Sequence, residues 1–171
     1  MAKYQTHNIR NLALLGHAGS GKTTLTEALL FDSGEITKCG QVEKGNTLSD
    51  YDETEIKLQH SIDCSLCSFS QVDSHVNLID TPGYPDFYNR ALSVLPAVET
   101  AAIVINAQNG IELISQRAMK SAQERNLCCL IIVNKIDANE CNIENLLSQL
   151  QEHFGKECLP INLPANQGKD V

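Results

Sequence analysis

The chain has 171 residues and a formal net charge of −8, enough length for one domain with a sizeable core. The acidic balance argues against a DNA- or RNA-binding surface on this segment. There is no run of about 18 apolar residues and no signal-peptide pattern after Met1, which predicts a soluble, cytoplasmic protein without membrane contact.

Met1 to Asn8 is polar and reads as a loose lead-in. Arg10 to Leu15 is an apolar run of strand character. It runs into Gly16-His17-Ala18-Gly19-Ser20-Gly21-Lys22-Thr23, which fits the phosphate-loop pattern G-x-x-x-x-G-K-[ST]. From Lys22 to about Phe31, Leu25, Ala28 and Leu29 recur on one helical face, and Ser33-Gly34 stops the helix. A triphosphate brings several negative charges that must leave water together, so its site needs many donors at once. Successive backbone N–H groups from His17 to Thr24 supply them, with the positive end of the helix behind. Lys22 would reach the β- and γ-phosphates, and the Thr23 hydroxyl is a candidate Mg²⁺ ligand. The plain alternative is a glycine-rich turn between an ordinary strand and helix.

From Glu35 to about His60 neither period is clean, and Gly40, Gly45 and the acids Asp50, Asp52, Glu53 and Glu55 read as a long mobile loop. Ile62, Cys64, Leu66 and Phe69 mark a second strand. Val72-Asp73-Ser74 makes a turn, and His75 to Ile79 forms a third strand ending at Asp80, so the two make a hairpin. Asp80-Thr81-Pro82-Gly83 follows, then a helix over about Asp86 to Leu95 bounded by Pro85 and Pro96. Ala101 to Ile105 is a strand apolar on both faces. Helical spacing returns from Ile111 to about Glu124, with Ile114, Ala118 and Ala122 inward. Cys128 to Val133 is another strand buried on both faces, running into Asn134-Lys135-Ile136-Asp137. Ile143, Leu146, Leu147, Leu150 and Phe154 stripe the last helix, which stops at Gly155. Cys158 to Pro164 has the look of a short strand, and Ala165 to Val171 is polar.

Strands alternating with helices predict an α/β fold of the P-loop NTPase type, a doubly wound, mainly parallel sheet with helices on both faces. Gly16–Thr24, Asp80–Gly83 and Asn134–Asp137 all follow strand ends, so they gather on one edge. There Asp80 can hold a Mg²⁺-bound water, and Gly83 can offer its N–H to a γ-phosphate; such a contact lasts only while that phosphate does. Asp137 can accept from the N1–H and 2-amino group of guanine together, whereas adenine has no amino group there. Sites built on such pairs reject the wrong partner by roughly 10⁴-fold. Asn134 would tie this loop to the phosphate loop, and the stem of Lys135 would cover the base. GTP or GDP with Mg²⁺ is the ligand expected. The seven cysteines are odd in number and offer only Cys64-x-x-Cys67 as a metal-like spacing, so reduced, mostly buried thiols are expected.

Together these residues resemble the translational GTPases, elongation factor G above all. The likeness covers Gly16 to Leu29, Asp50 to Ile62, Asp80 to Phe87, Asn109 to Glu112 with Gln116, and Asn134 to Asp137. It implies that Asp50, Glu55 and Ile62 belong to the first switch, and places Ser61 where the family has a Mg²⁺-binding Thr. The family's attacking water is positioned by a His after D-T-P-G; here Tyr84 stands there, as in divergent elongation factor G-like paralogues. The resemblance implies a GTPase, slow in isolation, with Lys22, Gly83 and a weak Tyr84 as catalytic groups and Thr23, Ser61 and Asp80 around the metal. It also implies a monomer that acts on the ribosome through domains beyond this chain. The 171 residues would then be one GTP-binding domain, incomplete, ending before an inserted subdomain and the last guanine-contacting loop, with an exposed sheet edge. A binding module that holds nucleotide with little turnover is the alternative, favoured by Tyr84, Ser61 and the altered switch.

Overall fold

The computed structural model describes residues 4–138 and 142–164. Met1 to Lys3, Cys141 and the polar run Ala165 to Val171 lie outside them. In chain order the regular elements are β1 (Ile9–Leu15), α1 (Lys22–Asp32), α2 (Glu53–Leu58), β2 (Ser65–Gln71) and β3 (Ser74–Asp80). There follow α3 (Tyr88–Ser93), β4 (Thr100–Asn106), α4 (Leu113–Gln123), β5 (Cys128–Asn134) and α5 (Ile143–Phe154).

The strands form one sheet in the order β2-β3-β1-β4-β5. The β2–β3 hairpin is antiparallel, and all other pairings are parallel. Period-two alternation divides the apolar residues between two layers. Ala13 and Leu15 of β1 and Ala101, Ile103 and Ile105 of β4 face a core closed by Ala91, Ala118, Met119, Ala122, Leu146 and Leu150 of the helices. Leu14, Ala102 and Val104 face the opposite way, against Leu30 of α1 with Leu25 and Leu29 beside it. Helices therefore cover both faces, α1 on one and α3, α4 and α5 on the other. Because β1, β3, β4 and β5 run parallel, the loops after them emerge on the same edge.

Several expectations are corrected. The stretch from Glu35 to His60 is not featureless: it holds a 3₁₀ turn at Val42–Lys44 and the helix α2. Asp52 caps α2, accepting from Thr54 N, and Glu55 reaches back in a capping box. Ala28 is exposed rather than inward, because α1 is enclosed on two sides and buries Thr26 and Glu27 beneath the following segment. Only Tyr88–Ser93 of the helix expected over 86–95 is α-helical; 3₁₀ turns flank it, with Pro85 first in one and Pro96 second in the other. As the outer strand with one neighbour, β5 is partly exposed, notably at Cys128 and Cys129. Residues 158–164 form no strand, and Leu159, Ile161 and Leu163 are exposed. Among the described cysteines only Cys67 is buried; Cys39, Cys128 and Cys129 are exposed, and Cys64 and Cys158 are intermediate. Nor is the lead-in wholly loose. Tyr4 stacks on His75 at 5.0 Å and its hydroxyl lies 2.7 Å from Ser70 Oγ.

Candidate functional site

The phosphate loop runs from the end of β1 to the start of α1, folding over the sheet edge. Gly21, the residue before α1, has φ of 94°, a left-handed angle that a side chain would strain. A Cβ there would also strike Asn134 Nδ2. That contact is needed, since Asn134 Nδ2 donates to the Ser20 carbonyl at 2.9 Å. Lys135 adds a second tie, its Nζ donating to the Gly19 carbonyl at 3.0 Å. Both residues therefore brace the phosphate loop from β5, one as expected and one in a way the sequence did not indicate. Asp137 stands exposed farther out on the same turn.

Lys22 is 6% exposed, and its Nζ donates to the carbonyls of Gly16 and His17 at 3.1 and 2.9 Å. Burial lowers its pKa to about 8, against the pull of the Asp80 carboxylate. A cation held this way is poorly solvated and avid for an anion. Gly83 backs onto the same spot. A Cβ there would come within 2.5 Å of Lys22 Nζ and 2.7 Å of Ala18 N, so only glycine lets the Asp80–Gly83 turn pack on the loop.

Asp80 is 1% exposed, and burial raises its pKa to about 6, opposed by Lys22 and by a hydrogen bond from Thr23. Thr23 Oγ1 donates to Asp80 Oδ2 at 2.7 Å and lies 3.3 Å from Ser61 Oγ. Ser61 Oγ in turn donates to Asp50 Oδ1 at 2.7 Å. The structure thus brings all three candidate metal ligands together and adds Asp50, itself buried with its pKa raised by that burial. The sequence showed Asp50 only within an acidic run on a loop; its pairing with Ser61 depends on a tertiary contact. Asp80 Oδ1 is buried without a hydrogen-bond partner among the described residues. Two hydroxyls, a carboxylate with an unsatisfied buried oxygen and a further carboxylate behind are hard oxygen donors that suit Mg²⁺.

Two glutamates hold the connecting segment in place. Glu27 on α1 accepts from Gly40 N at 2.9 Å and Leu48 N at 2.6 Å. Glu55 Oε1 accepts from Ile62 N and Asp63 N at 2.8 and 3.1 Å, fixing the backbone just after Ser61. Glu27 escaped the sequence reading, since a helical Glu carries no signal that a distant loop will need its oxygens. His17 contributes only backbone to the loop. Its buried ring turns toward Glu112, with Nε2 3.3 Å from Oε1 but not aligned for a hydrogen bond. Burial lowers the His17 pKa, against the pull of Glu112.

Beside these groups lies a cleft of about 370 Å³, lined among others by Ala18, Gly19, Gly21, Lys22, Thr23, Thr24, Ser61, Gly83 and Lys135. Tyr84 stands at its mouth, 41% exposed. A larger groove of about 830 Å³ lies between β5, α5 and residues 157–164, but its lining is mostly apolar and gathers no phosphate donors. The site belongs to the smaller cleft.

A doubly wound sheet with a lysine-tipped loop at its carboxyl edge defines a P-loop nucleotide-binding domain. The chain belongs to the family of the elongation factor Tu GTP-binding domain, whose description matches residues 7–166. It is 34% identical over 160 residues to an elongation factor G-like protein of Mycobacterium tuberculosis, covering 94% of this chain and 22% of that one. It is 33% identical over 163 residues to elongation factor G of Mycoplasma pneumoniae, covering 95% of this chain and 24% of the relative. A crystal structure of a Thermus thermophilus protein superposes with a TM-score of 0.89 at 35% identity, over 95% of this chain and 24% of that one. The chain thus spans about a quarter or less of the length of these relatives. Among the described residues, no helix is long and apolar enough to cross a membrane.

Proposed function

We propose that this chain is the guanine-nucleotide switch of an elongation factor G-like translation factor, hydrolysing GTP to GDP and phosphate and acting with the ribosome. One observation carries this. The Lys22 ammonium, the Thr23–Asp80 pair and the Gly83 backbone converge on one cleft that Asn134 and Lys135 brace from the base-reading loop. The triphosphate lies along the backbone donors from His17 to Thr24. Lys22 exchanges its two carbonyl partners for phosphate oxygens and stabilises the charge that develops on the γ-phosphoryl group. Gly83 supplies an N–H to the same group, and Tyr84 occupies the cleft mouth beyond it. Asp137 accepts from the guanine ring. Thr23 and Ser61 hydroxyls and Asp80, with Asp50 behind Ser61, would hold Mg²⁺, which would supply neutralisation of phosphate charge when bound. Ser61 and Gly83 lie on different segments lining the cleft and both depend on the γ-phosphate, so its loss releases two segments at once.

Equilibrium binding of GTP, GDP, ATP and ADP with Mg²⁺, joined to phosphate release with and without ribosomes, tests the proposal. Guanine nucleotides should bind at least about 100-fold tighter than adenine ones, and ribosomes should speed turnover. Equal binding of adenine nucleotides would sink the guanine assignment. Binding without turnover under any condition would favour the nucleotide-dependent binding module instead.

A further inference from the structure

His60 immediately precedes Ser61 and lines the same cleft as Lys22, Thr23, Gly83 and Tyr84. Its ring lies against the Tyr84 ring, with centroids 4.3 Å apart and planes at 44°, and 6.5 Å from Phe87. Its Nδ1 is 2.9 Å from the Leu58 carbonyl oxygen. A carbonyl oxygen only accepts, so Nδ1 is the donor in this contact, and Nε2 is the ring nitrogen that Leu58 does not engage. The backbone around it is held from several sides. Gln59 takes a left-handed angle that ends α2, His60 N donates to the Glu55 carbonyl, and the Glu55 carboxylate holds Ile62 N and Asp63 N just beyond.

We propose that His60 orients the water that attacks the γ-phosphate, with the Tyr84 ring as the surface on which the imidazole rests. The proposal stands on the GTP-hydrolysis reading above. A water poised for attack needs its hydrogen held by an acceptor, so that a lone pair faces phosphorus. An imidazole on the cleft wall with Nδ1 committed to the Leu58 carbonyl has Nε2 left to serve as such an acceptor, while a phenol is the poorer one. In the step itself the water oxygen bonds to the γ-phosphorus. The bond to the β–γ bridging oxygen breaks, its electron pair leaves on GDP, and the water's proton ends on inorganic phosphate. His60 touches the attacking water, not the leaving group. Its place beside Ser61 means that the segment which senses the nucleotide also carries the group that aligns the nucleophile.

The test uses the full-length protein with ribosomes and measures single-turnover GTP hydrolysis alongside equilibrium GTP affinity. His60→Phe keeps a ring against Tyr84 and removes the nitrogen; His60→Gln returns an acceptor near the place of Nε2. Expected is a fall in rate on the order of 10²-fold for His60→Phe, with affinity held within about threefold, and a recovery of about tenfold for His60→Gln. His60→Phe hydrolysing at the wild-type rate overturns the assignment, as does a loss of affinity as large as the loss of rate. Wild-type protein that binds guanine nucleotide but never hydrolyses it overturns the assignment too. Wild-type protein that binds no guanine nucleotide instead overturns the reading beneath it.

Discussion

Asp80→Asn should lose nucleotide binding yet improve the stability of the nucleotide-free protein near neutral pH. The Asp80 carboxyl is buried, and its pKa rises from 3.8 to about 6 chiefly because burial penalises the anion. A group whose folded pKa lies above its unfolded value favours folding at low pH, and that advantage is lost as pH rises through the folded value. The window here runs from about pH 4 to 6, and a shift of about two units corresponds to about 3 kcal/mol. Asparagine keeps an acceptor for the Thr23 hydroxyl that Asp80 now takes at 2.7 Å. Its amide N–H₂, placed where Oδ1 is buried without a partner, costs about 1–3 kcal/mol at every pH. The two stability curves should therefore diverge by about 3 kcal/mol between about pH 4 and 7, in favour of the variant at the upper end. Urea denaturation of the 171-residue chain in EDTA, at half-unit steps of pH, reads this directly. Adding Mg²⁺ and GDP at about pH 7.5 should raise the stability of the wild type and leave the variant unmoved. Curves that stay parallel across that range would refute the view that a carboxylate is held here at a cost for the ligand's sake.

Other substitutions probe the remaining parts of the site. Lys22→Met should lower GTP affinity by more than about 100-fold while leaving or raising stability at neutral pH, because burial holds that amine at a pKa of about 8 rather than 10.5; a large loss of stability in thermal melts would contradict this. Glu27→Gln leaves one of two backbone donors, Gly40 N or Leu48 N, facing an amide N–H₂, at a cost of about 1–3 kcal/mol. Hydrogen exchange should quicken between residues 36 and 50 and stay slow in β4. Asp137→Asn, at an exposed position, should cut GTP affinity by about 100-fold or more with an unchanged melting temperature, and narrow the preference for GTP over ATP in competition binding.

The residues easiest to read in the sequence were those whose spacing is dictated by local backbone geometry. Gly16 to Thr23 spells a loop because glycines, lysine and threonine must sit at fixed offsets to wrap phosphates. Period-two and period-3.6 patterns placed β1, β3, β4, α4 and α5 to within a few residues. The segment between α1 and β2 resisted, because its order comes from side chains far away: Glu27 in α1 for Gly40 and Leu48, and Asp50 for Ser61. The short helix α2 does carry a legible sign, the Asp52 and Glu55 capping box, masked by the neighbouring acids. The apolar run of β5 implies burial on both faces, but such a run cannot say whether its strand has one neighbour or two, and β5 has one.

The order of the letters alone spelled the phosphate-loop pattern at the end of the first strand, and put after the fifth an aspartate with the chemistry to read a base. Local chemistry is enough for that, since each motif needs only its own neighbours. Folding decided how the pieces act on one another. It placed the Gly83 backbone against the Lys22 ammonium, joined Thr23, Ser61, Asp50 and Asp80 into one chain of oxygens, and laid His60 on Tyr84. Those contacts join residues on different elements, and only the register and winding of the sheet bring them within reach.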